Sequence, residues 1–416
     1  MQVTIRTGQS LWDELNRIGI FVDRPCAGNG TCGGCTVEVD GIGRVKSCQF
    51  REKGTFEVRI GKREDSFSVL QAAADEEKIA CPVPTLFLDL GTTTVAGFYI
   101  DGEEKKEISF INPQRRYGAD VISRIKAAGE GNGGRLKELI QSAVFSNIGK
   151  DCQVYLSGNT TMMHLFEGLE VEGLGRAPYT PVTLDKHSYE IHRRGITYTV
   201  HALEGISGFV GADIVSGIRE LEMDRKEEIT LLVDLGTNGE MVLGNSQKLL
   251  VTSTAAGPAF ESNGLALRLH ASGLIDLLYE MREKEIMDSN GILADAFFHK
   301  GYKGMTQDLI RELQMAKAAI RTGITLLLQE YGITEEEVTK IYLAGGMGRF
   351  INIEKAAVLG LLPREFVKKT EAVGNTSLLG CIHYGDIPWE RPKIVKEVML
   401  AEMPGFQELY IQEMNF

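Results

Sequence analysis

Four cysteines near the N-terminus, Cys26, Cys32, Cys35 and Cys48, stand in and just after a glycine-rich loop reading CAGNGTCGGC. Their spacing is C-x5-C-x2-C, then twelve residues, then the fourth thiol. This is close to the C-x4-C-x2-C spacing with a distant fourth cysteine by which thiolates hold a two-iron cluster. The glycines leave backbone N–H groups free to point at cluster sulfurs and tune the potential. Zinc is the plainer reading of C-x2-C, but zinc knuckles rarely place so much glycine between ligands. Cys81, in KIACPVP, competes for the fourth position; the strand-like flanks of Cys48, which would return it to the loop, favour Cys48. Cys152 and Cys381 sit in apolar stretches and read as inert core thiols. The expectation is an electron-carrying module with a [2Fe–2S] cluster on Cys26, Cys32, Cys35 and Cys48.

A second chemistry lies in a repeat. TLFLDLGTTTVAGFYI (85–100) resembles ITLLVDLGTNGEMVLG (229–244), each an apolar strand running into Asp-Leu-Gly-Thr and out into a second strand. VYLSGNTTM (154–162) echoes IYLAGGMGR (341–349) in the same order, and YGADVISRI (117–125) echoes VGADIVSGI (210–218) more weakly. A strand ending in a Gly-Thr turn offers backbone N–H donors and hydroxyls to phosphate oxygens. The aspartate at its end can hold Mg²⁺ through water or orient an attacking water. Two facing copies, Asp89, Gly91, Thr92 and Thr93 with Asp234, Gly236, Thr237 and Asn238, would grip a triphosphate from opposite sides. Gly345 and Gly346 carry no side chains, so an adenosine can lie against their backbone. A single Asp-Gly turn is ordinary punctuation; two copies and a YLAGG strand in matching order are specific.

The elements that must position these groups follow from pattern. QVTIR (2–6) alternates like a strand, and Leu11, Leu15 and Ile18 have helical spacing. TVEVDG and GTFEVRI read as further strands, giving a small β-grasp-like unit over residues 1–62. Residues 63–84 read as a charged linker. Strands then alternate with longer helices, the signature of α/β layers, and the duplication splits them into halves at 85–205 and 206–416 with one nucleotide-sized cleft between. The chain has 416 residues, enough for two to three domains. A net charge of −12 disfavours nucleic acid as a partner. No apolar run is long enough to span a membrane, and MQVTIRTGQ lacks a charged-then-apolar export signal. Seven cysteines in such a chain argue for thiolate ligands in a reducing cytoplasm, not disulfides.

The motif order resembles the actin, sugar-kinase and heat-shock-chaperone ATPases (ASKHA), with two ribonuclease-H-like halves. More narrowly, GNTTMMHLFEGL, ALEGISGFVGADIVSGI, VDLGTNGEMVLGN, STAAGPAFE, MTQDLIRELQMAKAAIRTGI and IYLAGGMGRFINIEKAAVLGLLP resemble the ATP-dependent reductive activators of corrinoid proteins. Those proteins also begin with a [2Fe–2S] domain, so the resemblance covers nearly the whole chain, and SCQFREKGTFEVRI is similar to their segment around the fourth cluster cysteine. It implies phosphate 1 at Asp89, Thr92 and Thr93, phosphate 2 at Asp234, Gly236, Thr237 and Asn238, and adenosine against Gly345 and Gly346. Gln314 and Lys317 resemble the chaperone pair that brackets adenine. The implied activity is return of a Co(II) corrinoid protein to Co(I) for methyl transfer, driven by ATP with Mg²⁺, with electrons from a low-potential donor passing through the cluster. Whether the chain forms a homodimer is left open.

The chain departs from that family in its short N-terminal module and reduced linker, and has no cysteine-rich C-terminal extension. Ser253, in TSTAAGPAFE, either faces the partner's cobalt or merely packs beside the nucleotide. His164, between Met and Leu, reads as a core histidine. Three rivals remain at this level. A small-molecule kinase would use Asp234 as base but has no need of the cysteine loop. An activator of radical dehydratases bridges a [4Fe–4S] cluster with few cysteines per chain. A ferredoxin adaptor with a degenerate ATPase fold would not keep both phosphate motifs intact.

Overall fold

The computed structural model describes residues 1–18, 20, 22, 28, 30, 35–60, 79–146, 148–256, 271–294, 305–345 and 351–416. Cys26, Cys32, Gly346 and most of the expected linker lie outside the described residues.

The described part of the N-terminal module is a strand, a helix and three further strands: β1 (Gln2–Ile5), α1 (Leu11–Arg17), β2 (Thr36–Val39), β3 (Gly43–Lys46) and β4 (Gly54–Arg59). The strands form an antiparallel sheet in the order β1-β4-β2-β3. Ser10 starts α1 through a reciprocal capping box with Asp13, which satisfies two of the first-turn donors.

The first half comprises β5 (Cys81–Leu90), β6 (Thr94–Gly102), β7 (Glu104–Ile111), α2 (Val121–Ala127), α3 (Gly133–Phe145), β8 (Cys152–Gly158), α4 (Thr160–Glu167), β9 (His187–Arg193) and β10 (Ile196–Ala202). Strand β5 opens at Cys81, inside the stretch read as linker. The second half comprises α5 (Ala212–Glu220), β11 (Thr230–Leu235), β12 (Gly239–Gly244), β13 (Lys248–Thr254), α6 (Ala271–Glu283), α7 (Gln307–Tyr331), β14 (Lys340–Ala344), α8 (Ile353–Val358), β15 (Thr370–Gly374), α9 (Thr376–Tyr384), β16 (Ile394–Glu397) and α10 (Phe406–Gln412).

The duplication is visible in the sheets. The run β7-β6-β5-β8-β10 in one half matches β13-β12-β11-β14-β15 in the other, with β9 and β16 added at the ends. In each, an antiparallel meander is followed by parallel pairing, β5 with β8 and β11 with β14. Central strands carry apolar runs because both faces are covered by helices. The YGAD and VGAD stretches are not equivalent: the first opens α2 after the third strand of its sheet in chain order, the second opens α5 after the sixth.

Helices α5 and α9 cross beneath the cleft. A Cβ at Gly380 would lie 2.0 Å from the Ser216 carbonyl, so only glycine permits this approach. Ser157 bridges the crossing, its hydroxyl 3.1 Å from that of Ser216 and 2.9 Å from that of Ser377. The N-terminal module shares one apolar cluster with the first half, joining Leu11, Trp12 and Val58 to Leu86, Tyr117 and Leu136.

Candidate nucleotide cleft and cysteine site

The two Gly-Thr turns meet. Thr93 Oγ1 lies 2.9 Å from Thr237 Oγ1, one residue from each half. On the first-half side, Asn159 Nδ2 donates to Thr92 Oγ1 at 3.0 Å, while Asn159 Oδ1 caps α4 through Met162 N. Asn112 closes the turn from below, donating through Nδ2 to the Gly91 carbonyl at 2.9 Å and through its backbone N–H to the Thr93 carbonyl at 2.8 Å.

Asp89 sits where β5 enters this turn. It accepts from Asn375 Nδ2 at 2.7 Å and Ser377 Oγ at 2.8 Å, both at the start of α9 in the other half. Desolvation pushes its carboxyl up from the ordinary range against the pull of those two bonds. Asp234 ends β11 and stands opposite Glu240 in the β11–β12 register. Gly345 turns at φ +86°, and a Cβ there would lie 2.6 Å from both Asp234 Oδ1 and the Leu235 carbonyl. Only a bare backbone can pass the Asp234 carboxylate at that distance.

Two further carboxylates join them. Asp213, at the start of α5, is raised to about 7, first by desolvation and then by the charge of Asp89. Glu240 is raised well above its usual value by desolvation, then by Asp213 and Asp234, with Asn238 pulling the other way. Asp213 feels the charge of Asp89, and Glu240 feels those of Asp213 and Asp234; Glu240 is buried and the other three carboxylates are half-buried. Like charges in low dielectric hold protons or a cation. Sequence reasoning missed Asp213 and Glu240. The first carried no local signal, since its GAD helix start has no topological counterpart in the repeat; the second was signalled by its place six residues after Asp234 across a tight hairpin.

Ser253 lies on β13 beside Glu240, with Oγ 3.4 Å from Glu240 Oε1. It lines a cavity of about 440 Å³ between the halves, walled by Ile122, Ile125, Phe209 and Met399 and edged by Asn159 and Asn238.

Gln314 and Lys317 lie on α7, fully buried, with their heads taken by the chain itself. Gln314 donates to the Asn290 carbonyl at 3.0 Å and accepts from Arg311 at 2.7 Å. Lys317 donates to the carbonyls of Glu413 and Asn415 at 2.7 and 2.6 Å, so the C-terminal tail covers it. Burial pulls its ammonium pKa down. The structure therefore brings Asp89, Gly91, Thr92, Thr93, Asp234, Gly236, Thr237, Asn238 and Gly345 to one cleft, and directs Gln314 and Lys317 to the tail and the 288–291 loop.

In the N-terminal module, Cys35 and Cys48 are both buried, with sulfurs 3.2 Å apart. Gln49 donates to the Gly28 carbonyl at 2.5 Å and reaches the Cys48 sulfur at 3.7 Å. Cys81 is on β5, paired with Gly102, next to the apolar cluster of Phe87, Phe98 and Cys381. Burial pushes the Cys152 and Cys381 thiols up, Cys152 to about 12, as suits inert core groups. Among the described residues no cluster of three or more metal-binding side chains is formed. His164 accepts from Val182 N and donates to the Thr160 carbonyl, a satisfied core histidine. No helix among the described residues is long and apolar enough to cross a membrane.

Comparison with known proteins places this architecture. The RACo middle region matches residues 85–226, and the C-terminal domain of RACo, the ASKHA domain, matches 228–272 and 269–416. The chain is 29% identical over 423 residues to the corrinoid activation enzyme RamQ of Eubacterium limosum, covering 80% of this chain and 70% of the relative. It is 26% identical over 268 residues to a Co(II) methylated amine-specific corrinoid protein reductase of Methanosarcina barkeri, covering 50% of this chain and 49% of that one. A solved reductive activator for a corrinoid, iron–sulfur protein superposes with a TM-score of 0.71 at 23% identity, covering 100% of this chain and 96% of the other. With its two halves accounted for by the two RACo regions in order, the chain belongs to the RACo family of ATP-dependent reductive activators of corrinoid proteins.

Proposed function

We propose that this chain uses ATP to return an inactive Co(II) corrinoid protein to Co(I), ready for methyl transfer. The observation that carries the reading is the junction of the two turns, Thr93 to Thr237 at 2.9 Å, with Asp89 and Asp234 at the strand ends that enter them. Phosphates drawn into that junction touch both halves at once. A ligand shifts a conformational equilibrium only through different affinity for its states, and a site shared between halves has that property. Return of Co(II) to Co(I) is uphill from ordinary donor potentials, so the corrinoid protein must be held in a state that favours the lower oxidation level. Such a grip can be set by nucleotide.

Within the cleft, the turn N–H groups and the hydroxyls of Thr92, Thr93 and Thr237 would bind phosphate oxygens, with adenosine against Gly345 and Gly346. Asp89 and Asp234 would hold Mg²⁺, directly or through water, with Asp213 and Glu240 completing the charge balance. The cation supplies neutralisation of charge on the transferring phosphoryl group. Lys317 would reach adenine only with the tail displaced, and Gln314 only on leaving Asn290 and Arg311. Ser253, at the cavity edge, would face the partner's corrinoid.

The buried Cys35–Cys48 pair, with sulfurs 3.2 Å apart, fits a thiolate ligand set, and Cys26 and Cys32 complete it in number. These four would hold a [2Fe–2S] cluster, which supplies single-electron transfer from a low-potential donor. A homodimer and a reducing cytoplasmic setting belong to the same proposal. The test is ATP turnover with and without a Co(II) corrinoid protein. Strong stimulation is expected; turnover indifferent to the corrinoid protein, but responsive to a small hydroxylated substrate or a dehydratase, would replace this reading.

A further inference from the structure

The N-terminal module is seated on the segment that supports the first phosphate turn. Trp12, on α1, meets Tyr117 edge to face, with ring centroids 6.1 Å apart and planes at 86°. Both side chains are buried, at 5% exposure each. Trp12 is tied to the cysteine region on its other side. Its indole N–H donates to the Val22 carbonyl at 2.7 Å, and its backbone N–H donates at 3.0 Å to the carbonyl of Ser47, the neighbour of Cys48.

Tyr117 belongs to the stretch 112–118, which begins with Asn112 and its two bonds to Gly91 and Thr93. Arg124 locks this stretch to the turn a second time. Its Nε donates to the Gly118 carbonyl at 3.1 Å, Nη1 to Gln114 Oε1 at 3.4 Å, and Nη2 to the Thr92 carbonyl at 2.5 Å. The side chain is fully buried, and none of these acceptors is a carboxylate. A buried guanidinium without a bonded counter-charge is tolerable only while its donors are satisfied. Its fork is planar and rigid, so the Thr92 and Gly118 carbonyls are held at a fixed separation. When the turn moves, Gly118 and Tyr117 move with it.

We propose that Arg124 and the 112–118 stretch are a positioning device that makes the seat of the N-terminal module on Tyr117 depend on nucleotide at the Gly91–Thr93 turn. The proposal rests on the reading that nucleotide phosphates bind that turn. Its consequence is that the electron-carrying module presents itself differently to a partner with and without ATP.

The chain has two tryptophans, so Trp389→Phe leaves Trp12 as the sole indole reporter. Full-length Trp389→Phe protein is titrated with Mg-ATP while Trp12 emission is followed, and binding is measured in parallel by calorimetry. A saturable emission change is expected, with the same midpoint as binding. It is retained when Tyr117→Phe is added and lost with Tyr117→Leu, while calorimetric Mg-ATP binding persists in both, with at most a several-fold change in affinity in Tyr117→Leu because the coupling is reciprocal. Arg124→Lys, which keeps charge but not the fork, weakens the response. Should a substitution fail to fold, fluorine NMR of fluorotryptophan-labelled native chain reads the same Trp12 change. Binding with flat Trp12 emission, or a full response in Tyr117→Leu, overturns the device and leaves the nucleotide reading intact. Absence of calorimetric binding overturns both.

Discussion

Replacing Gly345 with alanine forces a methyl group into the space held by the Asp234 carboxylate. Two costs arise, and they can be separated. A non-glycine residue at φ +86° pays roughly 1–2 kcal/mol in backbone strain. The added Cβ also stands 2.6 Å from Asp234 Oδ1 and from the Leu235 carbonyl, well inside contact distance, and overpacking of this kind costs about 1–3 kcal/mol. The strand carbonyl is fixed by the sheet, so the carboxylate gives way. If half the combined cost falls on the displaced carboxylate, Mg-ATP binding weakens on the order of tenfold or more, since ~1.4 kcal/mol is a factor of ten. Gly332→Ala is the matched control: φ is +85°, but nothing lies within 4 Å of the new Cβ. It should lower thermal stability by a few degrees, at about 2–4 °C per kcal/mol, and leave nucleotide affinity alone. The assay is calorimetric Mg-ATP titration beside thermal unfolding for both variants. If Gly345→Ala binds Mg-ATP as tightly as Gly332→Ala does, Asp234 and Gly345 do not form the nucleotide site and the reasoning fails.

Other consequences are as specific. Asp213, raised to about 7 from an ordinary 3.8, holds a proton in the native chain that the unfolded chain has released. The stability it contributes is present below the unfolded value and lost as pH rises through about 7; Mg-nucleotide affinity should rise over the same interval, and Asp213→Asn should flatten both profiles. Cys48→Ser should remove the visible absorption of anaerobically purified protein while leaving Mg-ATP affinity unchanged, whereas Cys81→Ser should leave the spectrum intact; the reverse pattern would reassign the fourth ligand. Asp234→Ala should abolish corrinoid activation with the same spectrum as the parent, and residual activation would contradict the site assignment. Ser253→Ala should slow activation at saturating ATP without altering basal ATP turnover; an unchanged rate would leave that hydroxyl a packing role only.

The sequence was most legible where chemistry and local structure coincide. The Asp-Gly-Thr turns and the YLAGG strand each require only a strand running into a tight turn, and both halves show that arrangement. The buried charge arrangement was less legible because it depends on distant encounters. Asn375 and Ser377 reach Asp89 across 286 and 288 residues of chain, and no local spacing signals that meeting. Glu240 was readable in principle, since a two-strand hairpin fixes its register opposite Asp234. Arg124 was not, because its bonds to the turn and to Gly118 go to backbone carbonyls, which leave no mark in side-chain identity. Gln314 and Lys317 have the spacing of one helix face, but helical spacing does not say what covers that face. Here the tail at Glu413 and Asn415 covers Lys317, and the 288–291 loop takes Gln314 through the Asn290 carbonyl. The third repeat, YGAD against VGAD, shows the complementary limit: similar helix starts serve different topological positions.

A direct trial of the whole scheme is spectroscopic. Anaerobically purified protein, a low-potential reductant and a Co(II) corrinoid protein are mixed, and the Co(I) absorption band is followed before and after addition of Mg-ATP. The band should grow only after nucleotide is added, and only with the intact chain. Co(I) formed equally well without ATP, or not formed with any corrinoid protein under these conditions, would contradict a nucleotide-driven activator.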